Sequence, residues 1–182
     1  VLIAKPQQPE DKVFLSAWIG AIRVVTPKAM DALLGLLSDE DSDVRRSAAD
    51  ALGKLGEAAA TPKVLDGLIG LFSDKDQWVR LSAVFALDKM KETAATPAVL
   101  DALLGRLSDE DDFVRISAVF ALGKMKKAAA TPKVLDALLG LLTHERNDVR
   151  WSAADALGQL GEAAATPKVL DALLGRLSDE ES

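Results

Sequence analysis

The feature that most constrains this chain is a repeat. Thr-Pro occurs at 26–27, 61–62, 96–97, 131–132 and 166–167, always 35 residues apart. Self-similarity at such a period specifies an array of like supersecondary pieces, each too small to bury its own apolar face. Four full repeats occupy 26–60, 61–95, 96–130 and 131–165, and a half repeat occupies 166–182. The first and fourth agree at 27 of 35 places and the second and third at 23 of 35, so the framework is constant and the departures from it are informative.

Each repeat reads as two helices. Thr61 is a good N-cap, and Pro62 suits the first helical position, where its missing N–H has no partner to lose. Val64, Leu65, Leu68, Ile69 and Phe72 follow at three- and four-residue spacings, which predicts a first helix near 62–73. Acidic runs such as Ser38-Asp39-Glu40-Asp41 break that helix and favour the positive start of the next. The second helix turns Val44, Ala48, Ala51, Leu52 and Leu55 inward and stops near Gly56, a C-terminal cap.

Asp43-Val44-Arg45 followed by Ser47-Ala48-Ala49-Asp50-Ala51-Leu52-Gly53 resembles the second helix of HEAT-like repeats of the phycobilisome-lyase type. Val-Arg recurs at 79–80, 114–115 and 149–150, and Ser-Ala at 82–83, 117–118 and 152–153. The resemblance covers about 26–182 and implies an all-α, right-handed solenoid with its second helices along a concave surface. The near-identity of the repeats is also similar to artificial HEAT-like binders of the alphaRep type. Such arrays mostly bind partners, and some serve bilin lyases.

Residues 1–25 match no full repeat and are expected to form an N-terminal capping segment. Val13-Phe14-Leu15-Ser16-Ala17 echoes Val79-Arg80-Leu81-Ser82-Ala83, so the segment reads as a degenerate second helix. Val13 to Val25 is apolar almost all round but too short to span a membrane, and its outer face could be shared with another chain. The polar tail Ser178-Asp179-Glu180-Glu181-Ser182 is expected to cap the far end.

Four columns change between repeats. They are Asp43, Trp78, Phe113, Asp148; Arg46, Leu81, Ile116, Trp151; Asp50, Phe85, Phe120, Asp155; and Ala49, Val84, Val119, Ala154. With Val79 as origin and about 100° per residue, Ala83, Ala86, Leu87 and Met90 lie within roughly −20° to +80°. Trp78, Leu81 and Phe85 lie at roughly 200° to 260°, on the opposite side. Trp78, Leu81, Phe85, Phe113, Ile116, Phe120 and Trp151 are therefore expected to form one partner-binding patch. Its rim would be Val84, Val119, Asp43, Asp50, Asp148, Asp155, Lys91 and Lys126. Five aromatics at ~150–250 Å² each approach the ~800 Å² that one side of a standard protein interface buries. The substitutions concentrate on one face of the central repeats, as selection for a target would leave them.

Composition excludes most chemistry. The chain has no cysteine, one histidine and a net charge of −6, which removes thiolate metal sites, thiol nucleophiles and multi-histidine centres. The acidic balance argues against a nucleic-acid footprint. Asp39, Asp41 and Asp43 alternate as calcium ligands do, but Val44 occupies the obligatory glycine position. Ser47, Ser82, Ser117 and Ser152 recur without an accompanying histidine and read as packing residues, and His144 as a loop residue. No catalytic residue, metal or cofactor is expected. The expected activity is protein binding, to a protein or helical peptide with an apolar surface. The alternatives are self-association, through the patch and the apolar opening helix, and a bilin-lyase-like component. Neither nucleic acid nor membrane is an expected partner, and the chain is expected to be soluble, and cytoplasmic if natural.

Overall fold

The computed structural model describes residues 8–22 and 26–179, and these form helices and short turns. Ten α-helices lie among the described residues: α1 (Pro9–Ile22), α2 (Pro27–Leu36), α3 (Ser42–Leu55), α4 (Pro62–Gly70), α5 (Gln77–Met90), α6 (Pro97–Arg106), α7 (Asp112–Lys124), α8 (Pro132–Leu141), α9 (Asn147–Gln159) and α10 (Pro167–Asp179). The expectations for 1–7, 23–25 and 180–182 lie outside the described residues.

The first helices begin as the Thr-Pro signal predicts. The Oγ1 of Thr26, Thr61, Thr96, Thr131 and Thr166 accepts from the backbone N–H three residues on, at 3.1 to 3.4 Å. The α4 helix is shorter than the apolar spacing predicts, because Leu71–Ser73 tightens into a 3-10 turn. The alternating aspartates turn out to be structural. Asp39 Oδ1 accepts from the Asp41 N–H, and Asp41 Oδ1 from the N–H groups of Asp43 and Val44, which makes Asp41 the N-cap of α3. Asp76 and Asp111 cap α5 and α7 in the same way.

Arginine closes each loop. Arg45 Nη1 donates to the carbonyls of Asp39 and Glu40 at 2.8 and 3.0 Å. Arg80, Arg115 and Arg150 reach the carbonyls of Asp74, Asp109 and His144. Arg45 also forks onto Asp74, with Nε–Oδ2 at 2.6 Å and Nη2–Oδ1 at 2.9 Å. The recurring Val-Arg dipeptide thus joins a core residue to a loop clamp.

The chain divides into two compact units, one reaching Ala94 and holding α1–α5, the other starting at Ala95 and holding α6–α10. In the first, α3 packs between α1 and α5, with α2 against α3 and α4 against α5. Its fully buried side chains include Leu33, Leu52, Leu68, Leu87 and Met90. In the second, α7 packs on α9, with α6 against α7 and α8 against α9, around Leu103, Leu122, Met125 and Leu138. In both units, stacking covers the apolar stripe that a single helix pair leaves open.

Stacked second helices meet along a glycine seam. A Cβ on Gly53 would lie 3.1 Å from Ala86 Cα, and one on Gly123 would lie 2.9 Å from Ala156 Cα. A Cβ on Gly20 of α1 would lie 2.9 Å from Ala51 Cα of α3, so α1 stacks as a second helix. Its register is not the one the Val13–Val79 echo predicts. Lys12 pairs with Asp39 at 2.7 Å as Arg45 pairs with Asp74, which sets Lys12 in the arginine position, two residues from the expected alignment. Trp18 then occupies the place of Ala51 and Phe14 that of Ser47, and both are exposed.

Candidate functional site

The exposed aromatics are described within each compact unit. In the first, Trp78 and Phe85 of α5 are exposed, as are Asp43 and Asp50 at the equivalent places of α3. Phe85, Ala86 and Lys89 join Asp50, Gly53 and Lys54 around a shallow depression of about 290 Å³ between α3 and α5. The glycine seam narrows this groove floor, and Asp50, Lys54 and Lys89 give it charged walls. Asp43 is bonded to Arg46 at 2.9 Å.

In the second unit, Phe113 and Trp151 are 65% and 63% exposed, too much for either to serve the core. Phe120 is half-buried because it meets Trp151 edge-to-face, with centroids 5.9 Å apart and an interplanar angle of 67°. Ile116 is also half-buried. Beside Trp151, Arg146, Asn147 and Asp148 line an open depression of about 640 Å³. Arg146 stands where the other repeats place the capping aspartate, and α9 has no side-chain N-cap bond. Its guanidinium instead forks onto Asp148 at 3.0 and 2.6 Å and reaches Asp112. The hydrogen bond from Arg146 holds the Asp148 carboxyl down at about 2, helped by the Val149 N–H. His144 fills the loop-turn position of Asp39, its Nδ1 accepting from the Arg146 N–H at 3.2 Å.

One expected patch residue, Leu81, and two expected rim residues, Val84 and Val119, are buried. Val84 and Val119 are fully covered and Leu81 is only 9% exposed, so none of them presents a surface to a partner. The reason is angular. Val119 lies at roughly 140° from Val114, on the flank of α7 that faces α9 through Gly123 and Ala156, and Val84 and Leu81 hold the like positions of α5, at roughly 140° and 200° from Val79. Asp155 is half-buried and accepts from Gln159 Nε2 at 2.6 Å. Lys91 and Lys126 are exposed and hold φ of 50° and 47°, where Gly56 and Gly161 stand in other repeats. Lys91 Nζ bonds Glu57 at 3.1 Å. Sequence reasoning missed Lys54 and Lys89 as lining residues and left open whether Arg146 meets a partner. Arg146 carried a legible signal, since Asp41, Asp76 and Asp111 hold its place elsewhere. Among the described residues no three acidic, histidine or cysteine side chains group as metal ligands, and no helix is long and apolar enough to cross a membrane.

Helix pairs stacked through a glycine seam, with variable residues on one face of the second helices, define a helical-repeat protein. The chain belongs to the HEAT repeat family, whose pattern matches residues 3–88, 65–138 and 100–182. It is 45% identical over 56 residues to the phycocyanobilin lyase subunit alpha of Microchaete diplosiphon, covering 27% of this chain and 19% of that protein. The corresponding subunit of Picosynechococcus sp. is 43% identical over 68 residues, covering 32% and 25%. The chain therefore spans about a fifth to a quarter of the length of these relatives. Similar solved structures include an engineered protein (TM-score 0.65, 24% identity, 86% of this chain and 75% of that one). A designed armadillo repeat protein in complex with the peptide (KR)4 matches with TM-score 0.67 and 20% identity, over 86% and 78%. The complex of CpcE and CpcF of phycocyanin lyase from Nostoc sp. PCC7120 matches with TM-score 0.61 and 26% identity, over 88% and 67%. The fold is an all-α helical-repeat solenoid.

Proposed function

We propose that this chain is a non-enzymatic binding module for a protein or helical peptide with an apolar surface. Its anchors are Trp78 and Phe85 in one compact unit and Phe113, Phe120 and Trp151 in the other. The observation that carries the reading is the exposure of Trp78 and Phe85 at places where the same fold is built with exposed Asp43 and Asp50. Folding does not need aromatics there. Leaving a large apolar side chain in water forgoes about 1.5–3 kcal/mol of burial, which a partner can recover. Aromatic anchors with a polar, charged rim around them are the usual make-up of an interface centre. The peptide and protein complexes of the designed armadillo protein and of CpcE with CpcF are consistent with a binding role for this fold.

A helical-peptide display library panned on the protein tests this. Enriched peptides are expected to carry apolar residues at i, i+3, i+4 and i+7 and to lose binding to a Trp78→Asp, Phe85→Asp, Phe113→Asp, Trp151→Asp variant. Binders that hold the variant equally well would overturn the reading. A second reading, self-association, draws on exposed Phe14 and Trp18 of α1. It requires a sedimentation coefficient that rises with protein concentration, and the rise should vanish in Trp18→Ser.

A further inference from the structure

Given the binding role proposed above, we infer that the groove between α3 and α5 selects an amphipathic helix with a carboxylate one turn before the apolar residue that meets Phe85. Lys54 and Lys89 receive that carboxylate. Two rows of residues cross the groove. Asp50 of α3 and Phe85 of α5 hold equivalent places in the repeat, and so do Lys54 and Lys89, one turn or about 6 Å farther along the helices. Two exposed ammonium groups thus share one end of a depression whose aromatic wall is Phe85.

The protein does not use these charges internally. Asp50 and Lys54 stand one turn apart on α3, yet neither side chain has a hydrogen bond or ion pair among the described residues. In α9 the same two places hold Asp155 and Gln159, which bond each other at 2.6 Å. Lys89 lies 3.8 Å from the buried Asp88 and keeps its side chain exposed. Last-turn lysines suit the helix dipole, but α9 ends without a basic residue, so the framework does not require them. The Lys54 stem rests on α1, its Cδ 3.2 Å from where a Cβ on Gly20 would stand. Charge then sets the register of the occupant. A partner carboxylate beside Phe85 would face Asp50 and be repelled, whereas one turn farther it meets two cations. The dipoles set its direction. Lys54 and Lys89 lie in the last turns of α3 and α5, so the negative ends of both helices meet there. A helix that enters with its N-terminal turn complements them, and acidic residues are themselves favoured in that turn. The occupant therefore runs antiparallel to α5, with the acid first, then an apolar residue over Phe85 and another two turns on over Trp78.

The helical-peptide library described above, panned at low salt, is the probe. Peptides enriched on the parent protein should carry glutamate or aspartate at i−4 or i−3 to their first apolar anchor. Changing that acid to its amide should weaken binding about threefold to tenfold in the parent, and by less than about twofold in Lys54→Gln, Lys89→Gln. Lys54→Arg, Lys89→Arg should keep the preference, and salt at about 0.5 M should erase most of it. Binders that depend on Phe85 but show no acid preference, or a preference that survives Lys54→Gln, Lys89→Gln, would overturn the inference and leave the aromatic reading standing. Acids confined to the C-terminal side of the apolar stripe would also overturn it, since the occupant would then run the other way. Binders indifferent to the four-aspartate variant would overturn both readings.

Discussion

At the residue scale, the departures from the repeat are where physical cost is visible. Lys91 adopts φ 50° and ψ −135°, next to the φ 62° and ψ −141° that Gly56 takes at the same place. A side chain there costs roughly 1–3 kcal/mol. Lys91→Gly is expected to stabilise the protein by about 1 kcal/mol in urea unfolding, even though the exposed pair with Glu57 is lost. Unchanged or lower stability would show that the pair or the lysine stem outweighs the strain. Carboxylates give the pH dependence. A hydrogen bond from Lys12 holds Asp39 below the usual range. Burial pushes Asp74 up, but the Arg45 fork and the Asp76 N–H more than offset it, and Asp74 too ends low. A carboxylate held low contributes stability above its unfolded value near about 4 and loses it as pH falls through the folded value. The melting temperature should therefore be level from about pH 5 to 8 and fall below about pH 4, with a shallower fall in Asp39→Asn, Asp74→Asn. By NMR titration, Asp148 should protonate at about 2. In Arg146→Gln it should move up toward the ordinary value of about 3.9.

At the element scale, the caps were legible because they are local. Thr-Pro and the Gly56 stop each need only a few adjacent residues, and the structure forms them as the pattern predicts, while the acidic runs expected to favour the start of the second helices supply their N-caps as well. The glycine seam was not legible, since Ala-Leu-Gly reads equally well as part of a helical stripe. Its meaning appears only when two helices are brought together. The same blindness misaligned α1 by two residues, because Val13 matched a valine while Lys12 was already doing the work of an arginine. Leu81, Val84 and Val119 were misread for a related cause: a helical wheel separates inside from outside but does not show how much of the flank a neighbour covers. The seam makes a paired prediction. Gly123→Ala places a Cβ 2.9 Å from the backbone of Ala156 and should cost about 1–3 kcal/mol. Gly158→Ala meets nothing within 4 Å and should gain about 0.5–1 kcal/mol from helix propensity. Thermal melts of the two variants check this, and equal effects of one sign would refute the seam.

At the scale of the whole molecule, a repeat array separates what holds it together from what it presents. Each compact unit draws its stability from alanine, leucine and valine turned inward and from arginine clamps on its loops. The exposed aromatics contribute little to that, and the chain places Asp43, Arg46 and Asp50 at the equivalent positions of α3 without losing the helix or its caps. Sequence comparison between repeats found the variable columns, and burial then decided which members of them a partner could touch. The central claim is that Trp78, Phe85, Phe113 and Trp151 serve binding and not folding. Its most direct test is thermal unfolding, followed by circular dichroism, of the variant carrying aspartate at all four positions. The account predicts unchanged helicity and a melting temperature within about 4 °C of the parent, corresponding to a stability change below about 1 kcal/mol. A cooperative transition lowered by about 10 °C or more would show these side chains to be structural and contradict it.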